Sequence, residues 1–183
     1  TTMFLDCDSI LYREQFDKDG TANADGKNKN DWSISDVKNS LNGDSFLNKE
    51  GVFTTAEQNA IAESNVDSHP LTTDSVDGVN VESETQSFFQ NYVALTGEQI
   101  FLLDAEDLSN GAYGYSMTDE TTENRRKTGS SAAYWWLRSA SDSYGGSAGC
   151  VDGDGSIRNG SVLSSSPGVS PAFNVNLQSV LFS

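Results

Sequence analysis

One histidine, two cysteines and two Asp/Gly-rich stretches are the residues of this 183-residue chain whose types could do chemistry. His69 stands before Pro70, and a lone histidine rules out a His-rich metal centre. A serine triad would have to recruit that same histidine, and no G-x-S-x-G elbow accompanies it. Cys7 and Cys150 lie near opposite ends of the sequence. Their number and spacing give no disulfide framework, so they read as two unpaired thiols. The run "CVDGDGSIRNGS" has the cadence of a calcium loop, and setting Gly155 at the loop glycine puts Asp152 and Asp154 at its third and fifth positions. Cys150 then falls at the first position and Ser161 at the twelfth, where calcium requires a carboxylate and a bidentate Glu. "DKDGTANADG", which begins at Asp17 and Lys18, fails for want of a Glu at the right distance. Asp-Gly-Asp-Gly is better read as a hairpin turn between Val151 and Ile157, with glycine supplying positive φ.

Several elements must position these residues. "MFLDCDSILY", with Phe4, Leu5, Ile10 and Leu11, is a strand or a short helix. "WSISDVKNSLN" reads as a helix capped by Ser33 or Ser35, with Val37 and Leu41 four apart on one face. "TTAEQNAIAES" reads as a second helix, with Thr55 and Gln58 spaced as a capping box and Ile61 turned inward. Residues 65–87 are polar and turn-rich. "EQIFLLD" is a buried strand, "AEDLSN" one helical turn, and "GYSMTDETTENRRKTGSS" a loop before "AAYWWLRS" resumes β character. "AFNVNLQSVLF" alternates Phe173, Val175 and Leu177 as a closing strand. Helices early and strands late predict an α+β domain.

Length and composition set the outer bounds. The chain suits one domain with a real core, and nine Phe, six Tyr and three Trp argue against disorder. A formal charge of −16 speaks against polyanionic partners, nucleic acid and anionic membrane surface alike. No apolar run approaches the roughly 20 residues of a membrane span, so direct membrane insertion is not expected. The opening "TTMFLDCD" has the look of a piece excised from a longer protein.

The late segment differs from the rest. Between Ser139 and Ser170 the chain is dominated by Ser and Gly, yet Ala148, Val151, Ile157, Val162 and Val169 punctuate it. Flexible linkers lack such regularly spaced apolar residues. These five read as inward-facing positions of short strands, with small and polar residues between them facing out. Trp135 and Trp136 precede them, with Leu137 and at least one tryptophan expected in the core. Arg138 is expected to tie the start of the segment to backbone carbonyls or to an acidic neighbour.

Taken together, "SDVKNSLN", "FTTAEQNAI", "IFLLDAED", "YGYS", "NRRKT", "YWWLRSA" and "GVSPAFNVNL" resemble a bacterial family of unknown function. That family has the C-type-lectin-like fold, on the branch of the formylglycine-generating enzyme. The resemblance covers nearly the whole chain and implies one domain, loop-rich, with the two early helices packed on short antiparallel strands. Relatives with this ending resemble variable proteins of diversity-generating retroelements, in which adenine-directed mutagenesis rewrites Asn codons of the C-terminal face. Such codons never yield Lys, Glu, Gln, Met or Trp. Residues 139–170 contain none of the five, whereas 27 of the other 151 residues do, so five or six would be expected there by composition. Turn chemistry also favours short side chains, so a fixed lectin-like surface remains a second reading.

The resemblance thus implies a non-enzymatic receptor- or adhesin-type binding protein at a bacterial or phage surface. Its ligand would be a protein or glycan, with no cofactor. The binding residues would be Asp142, Tyr144, Gly145, Ser147, Cys150, Asp152, Asp154, Ser156, Arg158, Asn159, Ser161 and Ser164. Tyr144 and Arg158 would contribute most, both on one outward face, because Tyr and Arg dominate binding surfaces. An oxidase of the formylglycine-generating type needs a close cysteine pair late in the chain, and only Cys150 lies there. Because neither Asp/Gly stretch completes a calcium ligand set, thermal melts in EDTA and in millimolar calcium should nearly coincide. A calcium-induced rise of about 10 °C or more would show that one of the loops binds.

Overall fold

The computed structural model describes residues 1–19, 29–71, 75–76, 79–80, 88–115, 123–129 and 134–180. Most of the expected loops at 20–28, 81–87, 116–122 and 130–133 lie outside the described residues. The strands in chain order are β1 (Thr2–Asp6), β2 (Tyr12–Arg13), β3 (Ile61–Ala62), β4 (Ser64–Val66), β5 (His69–Pro70), β6 (Ser75–Val76), β7 (Val79–Asn80) and β8 (Asn91–Tyr92). They continue with β9 (Leu95–Glu98), β10 (Ile100–Phe101), β11 (Trp135–Ala140), β12 (Ser147–Val151), β13 (Ile157–Ser161), β14 (Gly168–Val169) and β15 (Ala172–Asn176).

Two sheets carry the fold. In the first, β15 is central and antiparallel to β1, β3 and β10, so the first and last strands of the described chain are neighbours. The block "MFLDCDSILY" therefore opens as a strand. Phe4 stacks on Tyr113 with ring centroids 4.2 Å apart, while Leu5 and Leu11 remain exposed. The second sheet has five strands in the order β13-β12-β11-β14-β2, with only the β11–β14 pair parallel. Three two-stranded ribbons, β4–β9, β5–β8 and β6–β7, complete the strands among the described residues. The architecture is α+β and largely β.

The helices are shorter than the sequence pattern suggests. α1 spans Asp36–Leu41, capped by Ser35, whose hydroxyl accepts from the Lys38 N–H at 3.2 Å; Val37 and Leu41 are buried. Ser33 lies instead in a preceding 3-10 turn, Trp32–Ile34, capped by Asp31. α2 spans Thr55–Ala60, and its capping box is Thr54 with Glu57, one residue earlier than the spacing of Thr55 and Gln58 suggests. Gln58 points elsewhere, donating to the Leu47 carbonyl at 2.9 Å. Ile61 is buried as expected but is already extended (φ −73°, ψ 116°), because its partner there is Val175 of β15. "EQIFLLD" takes the end of β9 at Glu98 and β10 at Ile100–Phe101, and the turn in "AEDLSN" is the 3-10 segment Asp107–Ser109. The closing strand ends at Asn176, and Leu177 begins a short helix, α3 (Leu177–Val180).

The core lies between the sheets and α1. Trp32, Trp135, Trp136, Phe16, Phe89 and Leu103 are among its fully buried side chains. Phe16 meets Trp136 edge-on at 5.6 Å. The late segment is ordered sheet: Ala148, Val151, Ile157, Val162 and Val169 are all 0–6% exposed. Val151 faces Ile157 across the β12–β13 ladder, which closes the hairpin around Asp152–Ser156. Gly155 takes φ +90° in that turn, where glycine avoids the Cβ clash.

Val151→Asp or Ile157→Asp should unfold or strongly destabilise the domain, since either buries an unpaired carboxylate in the core. Changing Ser147, Ser156 and Ser161 together to Asn should shift the melting temperature by only a few degrees. Circular dichroism melts of the three variants read the contrast. A large loss in the serine triple variant would show that the outward positions carry the fold.

Candidate ligand-binding face

The segment from Ser139 onward starts at a buried cation. Arg138 is fully buried on β11 and donates from Nε to the Val93 carbonyl at 2.9 Å. Its Nη1 donates to the Leu102 carbonyl at 2.7 Å and to Asp107 Oδ2 at 2.8 Å. The guanidinium lies 4.5 Å from the Tyr92 ring centre, a cation–π contact on one face. Burial opposes its charge, yet Asp107, Tyr92 and Asp104 together hold its pKa above the usual arginine value. Asp107 also accepts from the Tyr92 hydroxyl and from the Asp104 N–H. Both expected kinds of partner, carbonyl and carboxylate, are therefore present. Next to Arg138, the Ser139 hydroxyl accepts from the Ala105 N–H at 2.7 Å.

The chain then leaves the sheet in a turn, which holds the most exposed large hydrophobic side chain among the described residues, Tyr144 at 66%. Asp142 is exposed as well, but its carboxylate accepts from the Gln90 N–H at 2.5 Å and so also ties the turn to the frame. Gly145 and Ser147 are half-buried. At the other end of the β12–β13 ribbon, Asp152 Oδ1 accepts from the Gly153 N–H and Asp154 Oδ1 from the Ser156 N–H. The bond from Ser156 draws the Asp154 carboxyl below its usual pKa. Both carboxylates thus shape the turn. On β13 and after it, Arg158 and Ser161 are exposed, and Asn159 and Ser164 half-buried, as are Asp152 and Ser156.

Cys150 departs from the expectation. It is only 3% exposed, so it belongs to the core and presents nothing to a ligand. The reason is its strand: β12 lies between β11 and β13, and Cys150 pairs with Trp136 on one side and Arg158 on the other. Burial, and then the Asp152 carboxylate, pushes the thiol up to about 12. Cys7 and Cys150 are both free. Tyr144 and Arg158 are both exposed. Tyr144 sits beyond the Ser147↔Ser161 pair, whereas Arg158 pairs with Cys150, three residues or about 10 Å further along the ribbon.

Three glycines of the segment, Gly149, Gly160 and Gly168, are packing positions. A Cβ on Gly149 would lie 3.1 Å from the Phe89 ring and 3.2 Å from the Leu137 Cβ. One on Gly160 would lie 2.9 Å from the Trp136 ring, which is held by its Nε1 donating to the Glu14 carbonyl at 2.8 Å. Gly146 has open space around its missing Cβ. A cavity of about 410 Å³ opens next to the turn, with Asn30, Asp31, Ser33, Asn91 and Ala140 in its lining.

His69 has a different setting. Its ring stacks on Tyr92 at 4.8 Å, and its nitrogens meet the Glu106 carboxylate at 2.9 Å and the Asp67 carbonyl at 3.3 Å. Among the described residues, no group of three or more His, Cys, Asp and Glu side chains is arranged to hold a metal, and no helix is long and apolar enough to cross a membrane.

A family model for a domain of unknown function, DUF6273, matches residues 6–177. The chain belongs to that family. The match begins at the last residue of β1 and ends just after β15, so it covers the second sheet and the whole candidate face. No curated protein and no solved structure shows significant similarity to it.

The residues that hold the face from outside, Asn30, Phe88 and Gln90, have no local motif, because they act through main-chain contacts made across the fold. Gly160→Ala should cost about 1–3 kcal/mol, since the Trp136 ring cannot retreat. Gly146→Ala should stay within about 0.5 kcal/mol. Denaturant midpoints of the two variants measure the difference, and equal losses would refute the division between packing and display positions.

Proposed function

We propose that this DUF6273 domain is a non-enzymatic ligand-binding module of C-type-lectin-like architecture. Its segment 139–170 displays side chains diversified by a retroelement at a bacterial or phage surface. The observation that carries the reading is the division of labour within the segment. Ala148, Val151, Ile157, Val162 and Val169 face the core, while Asp142, Tyr144, Asp154, Arg158 and Ser161 face solvent. A surface of this kind can change its chemistry without changing its core. The exposed set is also free of Lys, Glu, Gln, Met and Trp, as adenine-directed change of Asn codons requires. The partner is a protein or glycan without strong negative charge, given the charge of −16 on the domain. Many of the displayed residues are Ser or Gly, so a single copy binds modestly and repeated copies would add avidity.

A fixed-sequence surface adhesin is the second reading, favoured by the structural use of Asp142, Asp152 and Asp154. The neighbouring DNA separates the two. A near-copy of the region encoding Ser139–Ser170, differing at adenines and lying beside a reverse-transcriptase gene, supports diversification, and its absence favours the fixed surface.

The binding face itself is tested on a ligand selected from a glycan array or a displayed protein library. Tyr144→Ala with Arg158→Ala should weaken binding at least tenfold, since each truncated contact typically costs about 1–3 kcal/mol. Glu50→Ala with Glu63→Ala, both exposed and outside residues 139–170, should leave it unchanged. Normal binding by the Tyr144/Arg158 variant and failure by the other would place the site elsewhere.

A further inference from the structure

The turn that bears Tyr144 is held by a residue 111 positions away from its first contact in sequence. Asn30 is 2% exposed, and its Nδ2 donates to the Ser141 carbonyl at 2.9 Å, the Ser147 carbonyl at 2.7 Å and, more weakly, the Tyr144 carbonyl at 3.3 Å. Three carbonyl oxygens converging on one buried point repel one another unless a donor stands between them. The side-chain amide supplies that donor. All three acceptors are main-chain atoms, which any residue type at 141, 144 and 147 presents.

The other restraints on the turn have the same character. Asp142 N–H donates to the Phe88 carbonyl at 3.3 Å, Ser141 N–H to Ser147 at 3.1 Å, Ser147 N–H to Tyr144 at 2.8 Å, and Val162 N–H to Gly146 at 3.0 Å. Among these contacts only the Asp142 carboxylate, accepting from Gln90, is a side chain of the turn itself. Asn at position 142 would keep an acceptor oxygen there.

We infer that Asn30 is the positioning residue of the display face: a side chain outside the segment that sets the main-chain path of residues 141–147 whatever side chains residues 143–145 carry. The inference rests on the reading of 139–170 as the binding segment and adds how its shape stays constant while its chemistry changes. It also divides the segment's predicted contacts, with Asp142 belonging to the frame and Tyr144 to the partner. Asn30 lines the adjacent cavity together with Ala140, so one residue joins the displayed turn to the floor beside it.

Residue-resolved amide hydrogen exchange on the full chain tests this without any ligand, so its result is independent of the binding assay on Tyr144 and Arg158. Asn30→Asp keeps the shape but replaces the donor with a carboxylate facing three carbonyls. It should speed exchange at the Asp142, Ser147 and Val162 amides by about tenfold or more. The Leu11 and Arg138 amides, bonded to Val169 and Leu103 in the frame, should keep their wild-type rates. Tyr144→Ser should leave all five unchanged. Should Asn30→Asp not fold, Asn30→Ala is read in the same way. A uniform rise across all five amides, no rise at the turn, a local rise in Tyr144→Ser, or failure of both Asn30 variants to fold would each overturn the inference.

Discussion

A buried guanidinium needs partners, and Arg138 draws those of its Nε and Nη1 from three parts of the chain. The strand β11 supplies the arginine, Val93 and Leu102 supply carbonyls, and the 3-10 turn at Asp107 supplies the counter-charge. An unpaired buried charge costs several kcal/mol, so none of these pieces can shift without the others. Tyr92 adds its ring to the guanidinium and its hydroxyl to Asp107, which brings the β5–β8 ribbon into the same constraint. The Arg138 N–H bonded to the Leu103 carbonyl completes the link between β11 and the strand that enters β15's sheet. Everything after Arg138 is therefore launched from a rigid point.

Downstream of that point the nature of the contacts changes. Up to Ser139, specific side chains hold the structure: Arg138 on Asp107, the Ser139 hydroxyl on the Ala105 N–H. From Ser141 to Ser147, main-chain carbonyls and amides do so, apart from the Asp142 carboxylate. The β12–β13 ribbon then returns to side-chain packing through Val151, Ile157 and the close approach of Gly160 to Trp136. A surface between two such zones can vary in side chain while keeping its backbone. Where a glycine touches the core, as at Gly149, or a carboxylate caps a turn, as at Asp154, that freedom ends.

Charge places a second constraint on any partner. Among the described residues, several buried ionisable groups are engaged in ion pairs: Lys127 with Asp6, Glu98 with Lys38, Arg138 with Asp107. The excess of acidic residues is thus left largely to the exterior, where it repels polyanions and tolerates neutral or basic surfaces.

Much of this was readable from residue order, and the reason is locality. The hairpin at Asp152–Ser156 follows from Asp-Gly pairs between apolar residues, and the start of α1 follows from Ser35 followed by Val37 and Leu41. Inward positions from Ala148 to Val169 were legible because small and apolar residues alternate with outward polar ones. Three features depended on contacts between distant parts of the chain. Cys150 looked like an outward position until β13 was placed beside it and Trp136 opposite it, which made β12 an interior strand. α2 stops at Ala60 because β15 needs Ile61 as a partner, a demand absent from the helix's own pattern. Asn30 has no local signal at all. Its amide acquires a role only when Ser141, Tyr144 and Ser147 bring three carbonyls to it, because the need for a buried donor is created by the fold and not by the residue.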